Sequence, residues 1–239
     1  MIDLNSKSML SDRINAMVDD AIYLEHVWGP TREYLGISIV GHPCDRYVQY
    51  QYLATRKEIP EVKFEPRTRR IFDRGNTYEA KARKWLEDCG FVFYPDLAEI
   101  SDFDGRLKGH VDGVIVGLTG AVRLIELPAL WENKCLGAKS WKTLEKDGLK
   151  KYSPTYWSQV HAYMGYFDLK RCLFTAVNAD TMELLHLLVD FDPSEFEMVK
   201  AKANRVFQAV DLGELLPRCT QDPAYYLCSY CPFKEACWK

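Results

Sequence analysis

The segment Leu130-Trp131-Glu132-Asn133-Lys134 constrains this chain more than any other. It reads as an apolar strand, yet it carries an acid and a lysine two residues apart. Side chains of a strand alternate between its faces, so Glu132 and Lys134 share one face. A buried charge needs a partner or a polar pocket. The flanking sequence offers the walls of one. Upstream, Lys108-Gly109-His110-Val111-Asp112-Gly113 brings a lone acid into an apolar run expected to be a strand over 107–116. Downstream, Gln159 and Tyr163 stand four residues apart, on one face of an expected helix.

The remaining elements follow from periodicity and punctuation. A helix over 8–26, with Met9, Ile14, Met17, Ile22 and Leu24 as its apolar positions, is expected to pack on the body. A second helix starts near Cys44 and sets Tyr47, Tyr50 and Leu53 on one side. Arg67, Arg69, Arg70 and Arg74 form a basic run. Asn76 is then expected to cap a helix that ends at Gly90. Strands are expected over 91–94, 107–116 and 122–132, and a lysine-bearing helix over 139–151. Ser153-Pro154 starts a helix burying Tyr156, Val160, Met164 and Phe167. Strands 171–177 and 182–189 flank a hairpin turn. Asp192-Pro193 opens the last long helix, with Glu195 placed for a capping box, and Gly213 ends it.

The fold expected from this order is α/β. A central mixed sheet is flanked by helices, with helical N-terminal and cysteine-rich C-terminal additions. One domain over 1–239 is expected, divided into a helical part (1–66), a core (67–212) and a tail (213–239). A hydrophobic content of 47% supports a packed core. No apolar run is long enough to span a bilayer. The first residues lack the basic-then-apolar pattern of a secretory signal, so a cytoplasmic location is expected. The net charge of −3 gives no global basic field, which leaves nucleic-acid binding to local patches.

The chemistry suggested is that of a hard divalent cation, Mg²⁺ or Mn²⁺, held by oxygen ligands. Asp112 and Glu132 are the first two ligands, Glu79 is a third, and the Asn133 backbone carbonyl is a fourth. Lys134 can orient an attacking water and offset charge developing on a phosphodiester. Each residue alone has a blander reading: a turn aspartate, a solvated Glu-x-Lys face, a surface acid on a helix. Their order makes the case. Glu126 is a rival second acid, set aside because no lysine follows two residues on. His110 has a structural role at least as readily as a role in the site. Arg70, Arg74, Lys139, Lys142, Lys146 and Lys150 are candidate phosphate contacts, with a solvated charged face as the alternative. Cys228-x-x-Cys231 and Cys237 form a compact thiolate set suited to an iron–sulfur cluster or zinc. The fourth ligand is open between nearby Cys219 and distant Cys44.

The ordered set resembles the PD-(D/E)XK nuclease superfamily in its RecB-like branch, most of all the cysteine-rich nucleases of bacteriophages and CRISPR systems. The resemblance rests on Arg74-Gly75-x-x-x-Glu79, Gly109-His110-Val111-Asp112-Gly113, Pro128 to Lys134, Gln159-x-x-x-Tyr163-Met164 and Cys228 to Trp238. It implies a restriction-endonuclease-like core and a metal-dependent DNA nuclease, expected to be an exonuclease on DNA ends or single strands. It implies Glu79, Asp112 and Glu132 as metal ligands, Lys134 as catalytic, and Gln159 and Tyr163 as supports. It also implies a [4Fe-4S] cluster on Cys44, Cys228, Cys231 and Cys237, with zinc as the alternative. Cys89, Cys135, Cys172 and Cys219 are then buried apolar thiols. Recombination or CRISPR proteins are the implied partners, and a phage-encoded chain would work in the host's bacterial cytoplasm. Two departures stand out: many relatives have histidine where Glu79 stands, and the gap from Asp112 to Glu132 is longer than usual. Two other readings are a catalytically silent DNA-binding or CRISPR-interaction module of the same fold, and a zinc-held protein-interaction adaptor.

Overall fold

A computed structural model describes residues 7–28, 32–60, 62–95, 99–119 and 125–239. Its long helices are α1 (Lys7–Trp28), α3 (Asp45–Thr55), α4 (Pro66–Asp88), α5 (Ala138–Tyr152), α6 (Pro154–Tyr166) and α7 (Pro193–Asp211). Short helical turns are α2 (Ile37–Val40), α8 (Tyr226–Ser229) and α9 (Lys234–Cys237). The strands are β1 (Leu35–Gly36), β2 (Phe91–Phe93), β3 (Glu99–Asp102), β4 (Leu107–His110), β5 (Gly113–Leu118), β6 (Ala129–Leu136), β7 (Arg171–Asn178) and β8 (Leu184–Asp190).

The fold is α/β. The main sheet runs β2-β5-β6-β7-β8 and is mixed: β6 and β7 pair parallel, and the other neighbours pair antiparallel. A smaller sheet runs β1-β4-β3. The main sheet is covered on both faces, as a sheet with a parallel pair at its centre requires. On one face Trp131, Leu173, Val177 and Ile115 meet Ala82 and Leu86 of α4. On the other, Leu130, Phe174 and Ala176 join Leu144, Val160, Met164 and Val199 from α5, α6 and α7. The alternation of β6 thus divides two cores, and it sends Glu132 and Lys134 toward α6.

Several elements differ from the sequence reading. The strand expected over 107–116 is two strands in different sheets, and Asp112 lies at the crossing between them. Among the described residues of the next expected strand only 129–132 pair, β6 runs on to Leu136, and Val122 to Leu124 lie outside the described residues. α4 begins at Pro66, so Asn76 sits inside the helix and caps nothing. Proline at the first turn lacks an N–H that would go unpaired there anyway, which favours the earlier start. Ser153 caps α6 as expected, accepting from the Tyr156 N–H. Asp192 likewise caps α7, accepting from the Ser194 N–H at 2.9 Å. Glu195 pairs with Lys150 at 2.8 Å in place of closing a capping box. α1 half-buries Ile22 but exposes Met9, Ile14, Met17 and Leu24, so four of its five apolar positions do not pack on the body as expected.

The tail is fastened to α3. Gln49 donates to the Glu214 carbonyl at 2.6 Å and accepts from the Leu216 N–H at 2.9 Å. Phe233 is buried against Tyr47 and Tyr50. Residues more than 160 positions apart are thereby neighbours.

Candidate active site

The β5–β6 ladder pairs Gly113 with Trp131 and stops there. Continued by one residue, its register sets Asp112 opposite Glu132. The Asp112 carboxylate takes over from the ladder, accepting the Asn133 N–H at 2.7 Å. Glycines on either side of the crossing permit this close packing. A Cβ on Gly109 would stand 2.8 Å from the Tyr163 ring, and one on Gly113 would stand 2.8 Å from Phe93.

Glu132 is fully buried. Its Oε1 accepts from Gln159 Nε2 at 2.7 Å and is ion-paired with Lys134. Gln159 also lies 3.5 Å from the Tyr163 hydroxyl, so the two helical residues support the acid together. Glu132 Oε2 is buried with no hydrogen-bond partner. A buried oxygen left bare in this way costs about 1–3 kcal/mol, more if charged. Lys134 rests 5.3 Å from the centre of the Tyr156 ring. Tyr156, read from sequence as part of the helix's apolar stripe, is therefore a wall of the site. Its place one turn before Gln159 was the available signal.

Electrostatics bind the acids into one group. Burial, with the Asp112 charge behind it, pushes Glu79 up to about 7, against the pull of Lys134 and Arg83. Burial and then the Asp112 charge also raise Glu132. Asp112 is raised by burial, against Lys134 and the Asn133 N–H. Burial opposes the Lys134 charge, but Glu132 and Asp112 outweigh it and hold its pKa above the ordinary lysine value. Among the described residues, no three histidine, cysteine or acidic side chains stand in a finished metal-ligating array. The donor set still fits a hard cation: three mutually repelling carboxyls, one with a bare buried oxygen. Asn133 enters the site through its N–H, and its side-chain Oδ1 is buried without a partner.

The other candidates lie elsewhere. Glu126 is at the surface, paired with Arg171 at 3.5 Å. His110 is exposed and pairs across β3 with Glu99. Arg70 is ion-paired with Asp19 of α1, and Arg74 lies beside Cys135, the neighbour of Lys134. Lys139, Lys142 and Lys146 are exposed along α5, and Lys150 is held by Glu195.

Five cysteines gather at a second place. Cys44, Cys219, Cys228, Cys231 and Cys237 line one cavity between α3 and the tail. Burial raises the Cys231 thiol, and its neighbours Cys44, Cys237 and Cys228 raise it further. Cys219 is exposed and lies beside Cys44, so it is not the buried apolar thiol expected. Cys89 is exposed and Cys135 half-buried, which leaves Cys172 as the one expected apolar thiol that is fully buried.

No protein-family model matches the chain, and no curated protein matches it. Among solved structures, the alkaline exonuclease LHK-Exo of Laribacter hongkongensis matches with a TM-score of 0.55 at 14% identity, over 81% of this chain and 93% of that one. LHK-Exo in complex with dAMP matches with a TM-score of 0.56 at 14% identity, over 83% and 93%. At this identity the likeness is one of fold: the chain has an exonuclease-like α/β architecture.

Proposed function

We propose that this chain is a metal-dependent DNA nuclease, acting as an exonuclease on DNA ends or single strands. The observation that carries this reading is Glu132. One of its oxygens accepts from Lys134 and Gln159, the other is buried and bare, and the Asp112 charge acts on the group. The large majority of buried polar side-chain atoms have a partner, which makes a bare carboxylate oxygen a candidate for a ligand.

Glu79, Asp112 and Glu132 would hold Mg²⁺ or Mn²⁺. When bound, such an ion lowers the pKa of water and offsets charge on phosphoryl oxygens. Gln159 and Tyr163 keep Glu132 aimed into the site. Lys134 places its ammonium where it can donate to an attacking water or to a phosphate oxygen as negative charge grows there. Tyr156 limits the positions that ammonium can take. Hydrolysis adds water across one P–O bond, leaving one strand end with a phosphate and the other with a hydroxyl. The cysteine cavity is proposed to hold a [4Fe-4S] cluster on Cys44, Cys228, Cys231 and Cys237, with a structural role. The exonuclease fold of LHK-Exo supports the assignment of reaction class.

End-labelled single- and double-stranded DNA, incubated with the protein and Mg²⁺ or Mn²⁺, tests the reading. Stepwise shortening that stops with EDTA is expected. Tight DNA binding without cleavage in either metal would favour a silent DNA-binding module of the same fold. Absence of both binding and cleavage would refute the nuclease reading.

A further inference from the structure

α1 displays a seam that stays uncovered among the described residues. Leu10, Ile14, Met17, Ala21 and Leu24 recur at steps of four, three, four and three residues. This is the heptad spacing of a two-helix interface, and it puts all five on one stripe. Leu10 is 57% exposed, Ile14 50%, Met17 71% and Leu24 55%. Asp19, on the opposite side of the helix, makes the ion pair to Arg70 of α4. The body therefore holds α1 by its back and presents the apolar stripe outward. A continuous stripe of this kind on a soluble protein marks an interaction surface.

We infer that α1 pairs antiparallel with α1 of a second copy of this chain. The charges flanking the stripe choose the occupant and its direction. Arg13 and Asp20 lie along one edge, and Val18 and Glu25 along the other. A parallel pair would set Asp20 of each copy against Glu25 of the other, a double repulsion. An antiparallel pair centred between Asn15 and Ala16 sets Arg13 of each copy against Asp20 of the other. The same register puts Ile14 opposite Met17 and Leu10 opposite Ala21, so a large side chain meets a small one. The arrangement is self-complementary, as a two-fold interface requires. Because α1 packs on α4, which carries Glu79, the dimer would carry two copies of the candidate site. The inference does not depend on what that site does.

Sedimentation equilibrium on the full chain, from the micromolar range to about 100 µM, tests it. A dimer is expected. Ile14→Asp with Met17→Asp should give a monomer with unchanged circular dichroism and a Tm that no longer depends on concentration, since both side chains are exposed in the single copy. Arg13→Glu and Asp20→Arg should each raise the dimer Kd by roughly tenfold. The two together should restore it, because the ion pairs are only reversed. A wild-type monomer at the highest concentration would overturn the inference. So would a dimer that survives the Ile14 and Met17 changes, which would place the interface elsewhere. Failure of the double reversal to restore pairing would overturn the antiparallel register.

Discussion

The carboxylate site and the cysteine cavity both gather residues from distant parts of the chain, but by different means. The first is set by strand register. Asp112 and Glu132 are opposed because β5 and β6 pair as they do, and the backbone N–H of Asn133 ties them. The second is set by two short helical turns and a loop lying on α3, held by side chains such as Gln49 and Phe233. A register is shared by the whole sheet, so the acids cannot shift unless the core does. The tail is held by fewer, local contacts, the kind of segment that can open without global unfolding. The carboxylates are thus built into the core, and the thiols into the closure of the chain.

The largest effects should fall on the first region. Asp112→Ala, Glu132→Ala and Lys134→Ala should each lower DNA cleavage by about a thousandfold or more, because they act as one unit. Gel assays under saturating metal read this. Near-wild-type cleavage in any of the three would remove that residue from the site. Cys228→Ser should instead lower Tm first, with cleavage lost only as the protein unfolds. Early loss of cleavage at full stability would join the two regions and break the comparison.

Within the cavity, Cys44 and Cys219 should differ. Cys44 is half-buried beside Cys231, whereas Cys219 is exposed beside Cys44 and Cys228. Anaerobically purified protein should be brown, with about four irons per chain. Cys44→Ser should lose the colour and Cys219→Ser should keep it. Colourless protein with one zinc would replace the cluster with a structural zinc site.

The two regions should also respond to pH with opposite signs. Glu79 rises from an ordinary value of 4.5 to about 7 in the fold, so the folded state holds the extra proton between those values. Its contribution to stability is full below pH 4.5 and is lost as pH rises toward 7. Mg²⁺ or Mn²⁺, binding the ionised form, should recover that loss. Asp45, beside Cys44, is opposed by burial but lowered overall by Lys202, 2.8 Å away, and by Arg205. Its contribution is present above its ordinary value of 3.8 and is lost as pH falls below it. Melting curves of Glu79→Gln and Asp45→Asn should flatten the upper and lower pH slopes respectively. An unchanged upper slope in Glu79→Gln would assign it to other groups.

Much of the first region was legible because alternation and helical spacing are local. Glu132 with Lys134, and Gln159 with Tyr163, needed only periods of two and about four residues. The break at Asp112 was not legible, because apolar residues stand on both sides of it, Leu107 and Val111 before and Val114 to Val116 after, through a change of sheet. Gly109 and Gly113 marked it, but glycine alone does not distinguish a corner from a close approach. The start of α4 was missed because Gly75-Asn76 resembles a helix boundary, whereas packing on β6 continues the helix through it. Cys219 was misread because exposure depends on how the tail lies, and no local pattern encodes that.

The smallest expected effect is at Glu126, and it tests register itself. Glu126 and Glu132 lie on the approach to and within the same strand, and both are acids in apolar surroundings by sequence. Glu126 lies ahead of β6 at the surface, where its pair with Arg171 spans 3.5 Å. Its side chain is 64% exposed, and an ion pair so wet contributes about 0–1 kcal/mol. Glu126→Gln should therefore leave cleavage within about twofold and Tm nearly unchanged. Full loss of activity in a stably folded Glu126→Gln protein would mean that the strand can slide to a second register. The acid would then be chosen by the ladder's alignment, not by the Glu-x-Lys pattern.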